Sequence, residues 1–162
     1  MAYREEIKFF SKTFYLILGA VVIVSLYFQT RGISAVLPIV ILAGIIPLLF
    51  GRLLISISEH TLHIQFGYTG LMKKDIPVSK IKNARVVTYK PIRQFGGWGI
   101  RCGTFEGMKT GCYSMRGARG VLLELTHNVR VCITKTDRVI VGVSSPEKLI
   151  SALGAIGVRV NA

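Results

Sequence analysis

The chain has 162 residues and a mass of 17.9 kDa, room for one ordinary domain or for a small domain with a membrane anchor. Charged residues make up only 18%, against about 25% for a soluble globular protein, and mean hydropathy is +0.50. With 21 Lys+Arg against 8 Asp+Glu the net charge is +13. This composition argues against an ordinary soluble enzyme and turns attention to membranes and anionic surfaces.

Residues 1–12 read as a cytoplasmic tail carrying Arg4, Lys8 and Lys12. Between Lys12 and Arg31 lie 18 uncharged residues, and between Arg31 and Arg52 another 20. At 1.5 Å per residue such helices reach about 27–30 Å, the scale of a bilayer core. Phe9, Phe10, Phe14, Tyr15, Tyr27 and Phe28 suit interfacial belts. Pro38 and Pro47 are tolerated in a membrane helix and bend it. The expectation is therefore a two-span hairpin over residues 13–51, turning around residues 29–32. A cleaved leader is disfavoured because a second apolar run follows at once. Two helices buried in a soluble core are disfavoured because so short a chain could not cover them. Flanking Lys/Arg bias puts both termini in the cytoplasm. Gly19, Ala20, Ala43 and Gly44 are small enough to let the helices approach.

Residues 52–162 hold 17 of the 21 basic and 6 of the 8 acidic residues, a formal charge of +11. Apolar residues alternate at 53, 55 and 57 and again at 62, 64 and 66, which predicts a hairpin of half-buried strands. A third apolar cluster contains Ile76, Val78 and Ile81, and a strand is predicted over 83–89. The segment from Arg93 to Gly120 contains eight glycines and reads as irregular. Trp98 is its candidate anchor, packing on the sheet. Alternation then predicts strands over 121–125, 129–133 and 139–143, with turns at His127–Asn128 and Lys135–Asp137. Ser145, Pro146 and the Leu149, Ile150, Leu153 face predict a C-terminal helix.

Chemistry-bearing patterns are sparse. Cys102, Cys112 and Cys132 match no zinc or thiol-redox spacing. The glycines form neither a dinucleotide fingerprint nor a phosphate loop. His60, His63 and the scattered carboxylates assemble no nucleophile, base and orienter. No catalytic residue, metal or cofactor is expected, nor is a small-molecule substrate. The basic and aromatic residues interleave, but in no nucleic-acid-binding pattern.

The segments ISISEHTLHIQFG, IPVSKIKNARV, GGWGIR, GARGVLLEL and SSPEKLISAL, following two apolar runs, resemble the bacterial pleckstrin-homology-like membrane proteins. The resemblance implies a membrane helical hairpin followed by a mainly antiparallel β PH-like barrel with a C-terminal capping helix. It also implies a multi-pass protein of the prokaryotic cytoplasmic (cell inner) membrane, its β-domain beneath the bilayer.

The function expected is a non-enzymatic, membrane-anchored interaction module, an accessory or assembly subunit binding another membrane protein or a second copy. The alternative is binding of anionic membrane lipid headgroups by the basic β-domain. In either case the candidate face comprises Arg52, Lys73, Lys74, Lys80, Lys82, Arg85, Lys90, Arg93 and Arg101.

Overall fold

The computed structural model describes residues 3–10, 12–29, 36–58, 60–131 and 134–161. The chain begins with β1 (Tyr3–Lys8), followed by helices α1 (Lys12–Gln29) and α2 (Val36–Phe50). Strands β2 (Arg52–Ile57), β3 (Thr61–Phe66) and β4 (Met72–Pro77) come next. A 3-10 turn at Val78–Lys80 leads into β5 (Ile81–Thr88) and the short helix α3 (Pro91–Phe95). Then follow β6 (Gly99–Phe105), β7 (Met108–Ser114), β8 (Arg119–Val131) and β9 (Thr134–Gly142). Helix α4 (Pro146–Ala155) and the two-residue β10 (Val160–Asn161) complete the order.

The strands form two sheets, a four-stranded one in the order β1-β2-β3-β4 and a six-stranded one in the order β10-β5-β8-β9-β7-β6. The first is antiparallel throughout, with Ile7, Leu53, Phe66 and Met72 in one cross-strand row. The second is mixed, because β7 pairs parallel to β9 and β10 parallel to β5. The period-2 alternation of each strand sends one side-chain set inward. Leu53, Ile55, Ile57, Leu62 and Ile64 from the small sheet meet Val121, Leu123, Val139 and Val141 from the large one. Leu149 and Leu153 of α4 join this core. A second cluster lies on the other face of the large sheet, where Phe95 of α3 covers Leu122, Ile140, Cys112 and Tyr89. Helix α3 lies close to β6 because Gly103 has no side chain; a Cβ there would overlap the Gln94 carbonyl.

The fold differs from the closed, mainly antiparallel PH-like barrel expected above. Among the described residues neither β4 nor β6 has a partner on its outer side, so the sheets face each other without closing. The physical reason lies in the glycine-rich segment. Its GIRCGTF and MKTGCYS pieces pair as β6 and β7, and β7 then joins β9 in parallel. Strand β8 runs through His127 and Asn128, absorbing the expected turn as a register shift between Glu124 and Val129.

The membrane hairpin is also corrected. The apolar runs are helical, but α1 has 18 residues and α2 only 15. At 1.5 Å per residue α2 reaches about 22 Å, short of a core of about 30 Å. Among the described residues no helix is long and apolar enough to cross a membrane. The two-span assignment falls with it, and so do the multi-pass cytoplasmic-membrane localisation and the orientation drawn from it. Thr30, Arg31 and Gly32, at the expected tip, lie outside the described residues, as does Cys132. A Cβ placed on Gly19 or Gly44 would meet nothing within 4 Å, so these are not close-approach points.

Residues 3–8, expected as tail, form an edge strand against β2, with Ile7 at 5% exposure in the core. Glu5 accepts a hydrogen bond from the Ser144 amide at 2.8 Å, tying this strand to the approach to α4. Ile7→Ala should therefore cost about 2–5 kcal/mol of stability, whereas Arg4→Ala on the exposed face should stay within about 0.5 kcal/mol. Denaturant unfolding of the two variants checks the contrast.

Candidate functional site, a cationic cleft between unpaired sheet edges

Where the two sheets fail to close, β4 and β6 face each other across a cleft of about 690 Å³. Strand β4 contributes Met72, Lys73 and Lys74, and β6 contributes Gly99, Ile100 and Arg101. Arg130 near the end of β8 adds a further cation, and Phe50, Trp98 and Tyr113 supply aromatic surface. No carboxylate among the described residues lines the cleft. Among the described residues none of Lys73, Lys74, Arg101 or Arg130 has a carboxylate partner. Like charges gathered in a low-dielectric cleft focus a positive potential toward an anion.

Local sequence explains the placement. In β4, Lys74 lies opposite Ile64, and Ile76 opposite Leu62, so Lys74 shares the core-facing side of its strand. Lys73 and Asp75 take the other face, where Asp75 meets His63 Nδ1 at 2.7 Å. Trp98 sits between glycines held at positive φ, Gly96 and Gly97 before it and Gly99 after. Its indole N–H donates to the Gly117 carbonyl at 3.1 Å, which fixes the ring where the cleft begins. Lysine on an unpaired strand edge also discourages strand addition by another chain. Arg130 and the aromatic lining are not explained by that role.

The structure does not gather the candidate basic residues into one face. Lys73, Lys74 and Arg101 come together with Trp98. Lys90 and Arg93 border a separate hollow over α3 with Gln94, Gly103 and Thr104. Lys80 lies in the 3-10 turn and Lys82 on β5, both exposed. Arg52 is engaged structurally: its Nε donates to the Gly67 carbonyl at 3.1 Å and its guanidinium lies 4.6 Å from the Tyr68 ring centroid. Arg85 is paired with Glu106.

Arg130 was absent from the sequence-based face. It lies in a segment expected to begin a new strand after a turn, and the register shift in β8 carries it to the cleft. Also unforeseen was the clamp on Glu106, which ion-pairs with both Arg85 and Arg138, the latter at 2.9 Å. Arg138 is only 4% exposed and donates Nη1 to the Phe105 carbonyl at 3.3 Å. Its hydrogen bond, followed by that of Arg85, holds the Glu106 carboxyl below the usual carboxylate range.

Two places in the fold hold groups with catalytic chemistry. Ser56 stands opposite His63, which stands opposite Asp75, a Ser–His–Asp order across three strands. No hydrogen bond joins Ser56 to His63, and β2 is paired on both sides, so its amides are committed to the sheet rather than free to hold an oxyanion. Burial pushes the Cys112 thiol up to about 12, leaving it protonated and inert. No group of three or more His, Cys, Asp or Glu that could hold a metal exists among the described residues.

No family model, no curated protein and no solved structure matches the chain. The resemblance to pleckstrin-homology-like membrane proteins is thereby corrected. Of the short motifs that carried it, GGWGIR runs into the start of β6 and SSPE into the start of α4.

The Glu106 clamp gives a pH prediction. A carboxylate whose folded pKa is lowered contributes stability that is present above the ordinary value of about 4.3 and lost as pH falls through the folded value. Glu106→Gln should remove that part of the acid dependence. Urea unfolding of both forms from pH 7 to pH 3 should show the stability gap narrowing as acid is added.

Proposed function

We propose that the chain is a non-enzymatic interaction module that binds a partner protein through its apolar helix pair, in the manner of an accessory or assembly subunit. The observation that supports this reading is the exposure of α1. Leu16 is 75% exposed, Ile23 70% and Ile17 60%, and Ile41, Ile45 and Leu48 of α2 are likewise uncovered. Contiguous apolar surface on this scale marks a site that something else covers. Among the described residues no helix is long and apolar enough to cross a membrane, and a proteinaceous cover is the reading adopted for this exposed surface. The net charge of +13 opposes close association of two copies and favours an acidic partner.

A photo-crosslinking residue at Ile23 tests this in cells. A discrete protein adduct, lost when Leu16→Glu is added, is the expected result. Adducts to lipid alone would overturn the partner-protein reading.

The cationic cleft supports a second reading, capture of anionic lipid headgroups. Basic groups within a Debye length of an anionic surface gain about 1 kcal/mol each. The preference of the full chain for anionic over neutral vesicles should therefore fall steeply between about 0.1 and 1 M salt, as the Debye length shrinks from about 10 to 3 Å. Flotation with each vesicle type measures it, and a salt-independent preference would count against this reading.

A further inference from the structure

The cleft does not end at its cations. An apolar chamber of about 270 Å³ adjoins it, and the two share Phe50, Trp98 and Gly99 in their linings. Beyond that shared wall the chamber is bounded by Phe9, Phe10 and Ile46 on the helix side and by Phe66 and Met115 on the sheet side. Among the described residues the cavity system is thus segregated into one end with four cations and no carboxylate and another end that, Ser114 and Gly99 apart, is aromatic and aliphatic.

We propose that the joined cavities bind one molecule of an amphiphilic anion, a phosphate or carboxylate head carried on a single hydrocarbon chain. Lys73, Lys74, Arg101 and Arg130 hold the head, and the chain lies past Trp98 against Phe10 and Ile46. This deepens the headgroup reading, on which it rests, by replacing a membrane surface with a single bound molecule. Two independent features carry it. The cleft cations have no carboxylate partner among the described residues, though Arg101 Nε donates to the Trp98 carbonyl at 3.3 Å, and an anionic head would meet them through charge-assisted hydrogen bonds, the strong ones. The adjoining chamber offers a chain apolar burial worth about fourfold in affinity per methylene. A free inorganic anion would use only the first feature, and a neutral chain only the second.

Trp98 is the one tryptophan of the sequence and borders both chambers, so its fluorescence reports the site directly. The test uses the full chain in dodecyl maltoside, whose chain matches that of the probe and whose head is uncharged. Dodecyl phosphate should change Trp98 emission saturably at one molecule per chain, and a terminally brominated analogue should quench it. Lys74→Gln/Arg130→Gln, at positions with no ion pair to lose, should weaken the response at least tenfold. Ile46→Glu should do the same from the chain end. Inorganic phosphate at a hundredfold higher concentration should not compete. A linear response equal in all variants would mean partitioning into detergent and would overturn the proposal. Full competition by inorganic phosphate would also overturn it, leaving a simple anion site. If vesicle preference persists while the saturable response is absent, the headgroup reading survives and this inference alone falls.

Discussion

The structure depends on the burial of the large sheet on both its faces. Val121, Leu122 and Leu123 are consecutive and all fully buried, which is possible only if apolar material covers β8 from two sides. The small sheet supplies one cover and α3 with Tyr89 the other. Each such side chain contributes about 1.5–3 kcal/mol on leaving water. With the glycine-rich segment paired as β6 and β7 and β7 joined to β9, the edges β4 and β6 are left apart and the cleft lies between them.

Charge is distributed to match. The described acids are largely engaged away from the cleft: Glu6 with Lys8 and Arg52, Asp75 with His63, Glu106 with Arg85 and Arg138, and Glu147 with Arg119. Glu5 receives Tyr3 and the Ser144 amide, and Glu124 receives Asn83. With only 8 Asp+Glu in the chain, the commitments of the described acids leave the cleft cations without a counter-charge among the described residues. The positive field there follows from what the acids do elsewhere.

Much of the secondary structure was legible because alternation is a local signal. The hairpin over Leu53–Phe66 and the helix after Pro146 stand where the residue pattern puts them. What was not legible depended on distant partners. Strand β1 reads as a charged tail, since only Tyr3, Glu5 and Ile7 face inward and only Ile7 is strongly apolar. No strand is expected over Met72–Pro77, where only Ile76 joins an apolar cluster, because the inward set of β4 is Met72, Lys74 and Ile76. The glycines of β6 and β7 look like loop residues until their neighbours are known; a Cβ at Gly111 would collide with Val131 across the sheet. The site followed the same rule. Trp98, Lys73, Lys74 and Arg101 could be picked out singly, but their convergence with Arg130 comes from two sheet edges far apart in the chain.

Strands β1 and β2 are hydrogen-bonded neighbours, yet the whole helix pair lies between them in the chain. The Phe9 amide donates to the Gly51 carbonyl at 3.0 Å, so the excursion leaves and returns at one rung of the ladder. The helices are thus topologically an oversized hairpin loop. Exchanging them for a tight turn would preserve every strand connection of the two sheets, but it would remove the Phe10, Ile46 and Phe50 wall of the apolar chamber.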